Sequence, residues 1–318
     1  MNNVANRCDT RGSNVANNVI VGSRRRWRRY FCYRPIVGLV ALLAASIPIA
    51  AQWPAFPTRG VPRTADGKPD LNAPTPRTAD GKPDLSGIWD NGRNTNIQRG
   101  GRGADFNAPP PANRGQAAAA NAGPPNATFS NVGAGFPDGR LPFQPWAEDL
   151  VKKRMADNSK DNPDAHCLPM GFMQFHTHSQ PRKIVQTPGL ILIVYEANSG
   201  LRQIYTDGRP LPGKDAEPWW YGYSVGKWEG DTLVVETTGF IDNMWLDVRG
   251  SPMTSEAKVT ERFRRPNFGN LQIEITVDDP KAYTRPWTVK LDQRIYPDTE
   301  LIEFICQERD ATHYVGTQ

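Results

Sequence analysis

Histidine and cysteine are scarce in this chain, with four of each among 318 residues. Cys8, Cys32, Cys167 and Cys306 lack the paired spacing of a zinc site, and neither a Walker loop nor a His-Glu-x-x-His helix occurs. No cofactor is therefore expected. The prominent apolar run, Ile36 to Ala50, falls short of the about 20 residues needed to span a bilayer.

What precedes and follows that run reads as an export signal over residues 1–51. Six arginines between Ser23 and Arg34 lead into it, and Pro48 breaks it ahead of the small residues Ala50 and Ala51. Cleavage after Ala51 is expected, leaving no transmembrane helix and placing the protein in the periplasm or outside the cell. Ser23-Arg24-Arg25 has some twin-arginine character, although an ordinary Arg-rich signal accounts for the same residues.

Removing the signal changes the charge. Eight of 38 Lys and Arg and one of 33 Asp and Glu precede Gln52, which leaves 30 basic and 32 acidic residues, net −2. The pI near 9.0 belongs to the signal, so it gives no ground for a nucleic-acid partner. Only Cys167 and Cys306 remain, and an oxidising compartment favours their pairing. Closing so long a loop is worth about 4 to 5 kcal/mol on the chain-entropy model. Two buried thiols, or a metal-bound Cys167 beside His166, are the alternatives.

Residues 52–84 carry one exact decapeptide repeat, Pro62 to Leu71 and Pro76 to Leu85. Its Pro, Gly and charge content predicts an extended tether. Residues 85–318 read as a single β domain interrupted at about 91–139 by an Asn-, Gly-, Pro- and Ala-rich insertion expected to be disordered. Pro145 opens a helix near 145–157 with Trp146, Leu150, Val151 and Met155 on its apolar side. Ten strand candidates follow from alternation, from Leu85–Trp89 to Leu301–Cys306, most joined by short turns. The fold class is all-β: an antiparallel meander closed as a barrel or folded as a sandwich.

Gly87-Ile88-Trp89 on the first strand resembles the Gly-x-Trp opening of lipocalin-like barrels. The blocks Thr78 to Trp89, Ile204 to Pro210 and Gly222 to Val235 resemble signature blocks of a large family of secreted bacterial proteins without an established function. That resemblance implies no catalytic residues.

Alternation through Ala257 to Arg264 turns Glu261 inward with Val259 and Phe263. A carboxylate there must be paired or neutralised, as half of a structural ion pair, a ligand anchor or a general acid/base, with Arg209 a suitable partner. His176 and His178 would point to one side of an extended segment, the least that a metal site requires, though no third ligand is local and solvated loop histidines are the simpler reading. Gly222-Tyr-Ser-Val-Gly226 matches a nucleophile elbow in letters, but Ser224 leads into a hairpin rather than a helix.

Two functions fit. The first is a barrel that binds a small amphipathic or carbohydrate-like ligand through Trp219, Trp220 and Trp245 with Arg209 and Glu261. The second is a hydrolase, lyase or isomerase using Glu261 with Asp207, Asp242 or Asp247 as acid/base partners. The signal reading makes its own prediction: the intact mass of exported protein should match a chain beginning at Gln52 or within a few residues of it, and an uncleaved mass would refute it.

Overall fold

From Arg182 to Ile295 inward and outward side chains alternate, and the strands so formed close on themselves. The computed structural model describes residues 57–91, 123–302 and 304, all within the unit that begins at Pro54. The barrel strands are β1 (Gly87–Asp90), β2 (Arg182–Thr187), β3 (Leu190–Tyr195), β4 (Leu201–Tyr205), β5 (Tyr223–Glu229), β6 (Thr232–Thr238), β9 (Lys258–Asn267), β10 (Asn270–Asp278) and β11 (Trp287–Ile295). Their order around the barrel is β1-β11-β10-β9-β6-β5-β4-β3-β2, while β7 (Met244–Trp245) and β8 (Pro252–Met253) form a separate two-stranded sheet. Closure settles barrel against sandwich and leaves no free sheet edge.

The meander is not wholly antiparallel. β4 and β5 run parallel, held by only two register pairs, Ile204 with Ser224 and Tyr205 with Val225. Parallel neighbours need a long crossover. Residues 206–222, with Pro210, Pro212 and Pro218, supply it, so Asp207-Gly208 starts an excursion rather than a hairpin. At the far side the short β1 closes the barrel, pairing Trp89 with both Ile295 of β11 and Arg182 of β2. The expected last strand is absent at Leu301 and Ile302, and its end, including Cys306, lies outside the described residues.

The interior is filled by side chains. Val259, Phe263, Leu271, Ile273, Ile275, Val277, Leu233, Val235, Ile191 and Ile193 are all buried and point in from alternate strand positions. Helix α1 (Pro145–Ala156) begins at Pro145 as expected but buries Ala147 and Val151, leaving Trp146 exposed with its indole N–H donated to the Lys281 carbonyl at 2.7 Å. A second helix, α2 (Phe172–Thr177), was not legible in the sequence, and all six of its residues are buried. Gly171 starts it against the Trp245 backbone, where a methyl group would run into the Trp245 carbonyl oxygen.

The repeat is folded, not extended. In each copy the threonine backbone N–H donates to a lysine carbonyl and closes a turn (Thr64 to Lys68, Thr78 to Lys82, both 2.9 Å), with Gly67 and Gly81 at φ +79° and +78°. Each copy also clips an arginine onto a distant aspartate: Arg63 onto Asp298, Arg77 onto Asp231. Between the clips, Phe268 and Gly269 donate to Ala73 and Leu71, each at 2.8 Å. Composition predicted a tether because such a segment cannot build its own core. It has no need of one, because its backbone bonds pair internally or with the barrel. The described end of the insertion is packed in the same way: residues 125–127 bond to Lys290, and Val132 is fully buried.

Arg265 joins strap and barrel. Its guanidinium lies 4.8 Å over Trp89 and donates to the carbonyls of Phe268, Asp84 and Ser86. Arg265→Ala leaves those buried acceptors unpaired and should lower unfolding free energy by about 2 to 4 kcal/mol in denaturant titration. Arg262→Ala, on the outward face, should stay within about 0.5 kcal/mol. Equal effects would refute this role for Arg265.

Candidate functional site

Three titratable residues meet inside the barrel. β4 alternates Arg202 and Ile204 inward, β9 brings Glu261, and α2 lowers His176 between them; Arg202 is 2% exposed and the other two are fully buried. The Arg202 guanidinium grips both Glu261 carboxylate oxygens, with Nη1 to Oε1 at 3.0 Å. Its other contacts are to the Ser224 hydroxyl at 3.2 and 3.0 Å, to Thr237 Oγ1 at 3.0 Å and, from Nη1, to His176 Nε2 at 3.0 Å. His176 Nε2 lies 3.0 Å from Glu261 Oε1. Nε2 thus faces a group that only accepts, Glu261, and one that only donates, Arg202, while Nδ1 has no hydrogen-bond partner among the described residues.

Burial would push the Glu261 carboxyl up, but the Arg202 charge and hydrogen bonds from His176 and Arg202 outweigh it and hold it at about 2. Burial dominates at His176 and pushes its pKa down despite Glu261, so the ring is neutral. Tyr195 beside them is raised to about 12 by burial. The guanidinium of Arg182, lowered to about 10 by burial, caps the end of α2 through the His176 and His178 carbonyls.

Although Ser, His and Glu meet here, they do not form a nucleophilic relay. Ser224 bonds to Arg202 and Thr237, not to His176, and it sits mid-strand rather than on an elbow. The sequence reading paired Glu261 with Arg209; the partner is Arg202, which alternation beside Ile204 could have indicated. The two histidines are neither extended nor solvated as a pair. His176 is interior on α2, whereas His178 follows the helix and stacks edge-on against Phe129 at 4.8 Å.

The remaining carboxylates do not converge. Asp247 is fully buried under a loop, accepting from Val132 N, Ser251 N and Ser251 Oγ, with burial raising its pKa. Asp242 is exposed and caps Ser255 at 2.9 Å, and that bond lowers its pKa. Asp207 pairs with Arg209 in the crossover. None of these shares a hydrogen-bond partner with Glu261 or with another of the group.

Trp245 is buried under the Arg154 guanidinium, 4.3 Å from its ring, and cannot meet a ligand at the barrel. Trp219 is different. It is 38% exposed, yet its backbone is bonded to Gly239 and Ile241 at 2.8 and 3.1 Å, which fixes the loop that displays it. Its ring lies 5.2 Å from Tyr223, which stacks on Tyr205 at 5.1 Å. Arg209 covers Tyr205 at 3.8 Å, donates to the Tyr223 hydroxyl at 3.1 Å and is held by Asp207. Trp220 is adjacent and half-buried. A polar pair beside a row of aromatic rings therefore stands on the outside of the barrel, across the parallel β4–β5 seam. Tyr205 was missed because an isolated tyrosine at a strand end carries no signal of its own.

The buried cluster predicts a pH dependence. Glu261, depressed below its ordinary 4.5, contributes fully above about pH 4.5 and loses that contribution as the pH falls toward 2. The folded state resists protonating His176, while the unfolded chain takes up that proton below 6.5, so stability also declines with acidification through that range. His176→Gln should remove the upper decline in a denaturant series from pH 7 to 5. Glu261→Gln should cost about 3 to 5 kcal/mol at pH 7, because it leaves Arg202 buried and unpaired. An unchanged upper slope in His176→Gln would refute the assignment. Comparison of the chain with protein-family models, curated proteins and solved structures finds no match.

Proposed function

We propose that this protein is an exported binding protein that takes a carbohydrate-like ligand on the aromatic face formed by Trp219, Tyr223 and Tyr205. The observation that carries the reading is the juxtaposition of Trp219, exposed on a backbone-anchored loop, with the stacked tyrosines and the Arg209–Asp207 pair. A sugar ring presents C–H faces that pack on aromatic rings and hydroxyls that bond to carboxylate and guanidinium groups. Packing holds these groups in place before any ligand arrives, which limits the entropy lost on binding.

The barrel interior is no part of this reading, since Glu261 is committed to Arg202. Among the described residues, Glu261, Asp207, Asp242 and Asp247 share no hydrogen-bond partner, so they give the acid/base alternative no convergent carboxylate pair. Residues 1–51 as an export signal and a Cys167–Cys306 disulfide belong to the same proposal, as the setting in which such a protein would work.

Trp219→Ala tests it. Against a panel of soluble oligosaccharides in titration calorimetry, the parent protein should bind at least one class, and the variant should bind it about tenfold or more weakly. Its thermal midpoint should be nearly unchanged, since more than a third of Trp219 is already in water. Loss of stability with unchanged binding would make the face a staple for the β4–β5 seam and overturn the proposal.

A further inference from the structure

Away from the aromatic face, a groove of about 200 Å³ lies between α1 and the segments around Leu141 and Arg249. Its walls are apolar at Leu141, Phe143, Val151 and Met155, and its rim is cationic at Arg140, Lys152 and Arg249. Only one carboxylate, Glu148, belongs to the lining, and it is shared by Arg140 and by Lys152 at 3.0 Å. Lys152 also reaches Asp149 at 3.5 Å, and the buried Asp247 lies within electrostatic reach of Arg249. Arg249 itself is half-buried, and among the described residues it forms no ion pair. The neutral polar groups of the wall are already engaged, Asn131 with the Gly139 carbonyl and Ser251 with Asp247.

We infer that this groove is a second binding site, for a small amphipathic monocarboxylate whose apolar body lies on Leu141, Phe143, Val151 and Met155 and whose carboxylate meets Arg249. The volume sets the size. An apolar cavity of about 150 Å³ holds benzene, so this groove takes a phenyl ring with a short arm and excludes a long acyl chain. Charge sets the sign: the unpaired Arg249 guanidinium beside an apolar floor disfavours a basic ligand and leaves a neutral one without its anchor. A half-buried guanidinium gains more from a carboxylate there than a fully hydrated one would. The inference is independent of the sugar-binding reading, because the two sites share no residue.

The test uses 3-phenylpropionate and its neutral counterpart 3-phenylpropanol, titrated into the whole exported protein and followed by NMR chemical shifts. The acid should bind in the millimolar range or better and about tenfold more tightly than the alcohol, since a hydrogen bond to a charged group is worth about that factor. Arg249→Gln should erase the difference between the two. Met155→Trp, which fills the groove from the helix surface, should abolish binding of both, while Trp219→Ala should leave both unaffected. The inference fails if the acid shows no saturable shift up to about 10 mM, if alcohol and acid bind alike, or if Arg249→Gln binds the acid as the parent does. Far-ultraviolet circular dichroism of each variant verifies that the fold is intact before binding is read.

Discussion

The Arg202–Glu261 pair sets the terms for everything around it. Three strands apart in the barrel order, β4 and β9 both put an ionised group into an apolar interior, and neither tolerates the other's absence. Taking both out of water is costly, and the cost is offset only where the geometry is bidentate and the leftover donors are used. Ser224 and Thr237 use them, and His176 occupies the open flank of the carboxylate. Those demands explain why a six-residue helix with no solvent-facing side is tucked into the end of the barrel. They also pin register, because a one-residue slip in β9 would turn Glu261 outward and strand Arg202.

A filled interior leaves the outer surface as the place for the proposed recognition. Barrels that carry ligands within leave room between their walls. Here arginine, glutamate, histidine and aromatic side chains take up that space. The exterior has two features of contrasting chemistry: an aromatic row at the parallel seam and an apolar groove with a cationic rim beside α1. The row is built from Tyr205 at the end of β4, Tyr223 at the start of β5 and Trp219 from the crossover between them.

Whatever depended on strand alternation could be read from the sequence. Inward Glu261, the hairpin of β5 and β6, and the all-β class follow from period-two patterning and turn residues, whereas barrel against sandwich was decided only by closure. Contacts between distant segments could not be read. Nothing local distinguishes Trp245, pressed under Arg154, from Trp219, displayed to solvent; both looked like loop tryptophans near turns. His176 and His178 suggested an extended pair because a single buried turn of helix leaves too few residues to show a 3.6-residue period. The parallel junction was hidden for a similar reason, since the direction of β5 depends on where a 17-residue crossover lands, not on any residue within the strand.

The duplicated decapeptide poses the folding chain a choice that a unique sequence would not. Its two copies present the same arginine, the same turn and the same hydrogen bonds, so either arginine satisfies Asp231 equally well in the first instant of docking. Threading the first copy where the second belongs would displace the following chain by 14 residues and hold Gly87–Asp90 away from the gap between β2 and β11. Local affinity is thus degenerate, and the decision falls to the closing strand: only one threading lets Trp89 bridge Ile295 and Arg182. Barrel closure, through Trp89, thus separates two threadings that the repeat's own turns and arginine clips leave alike.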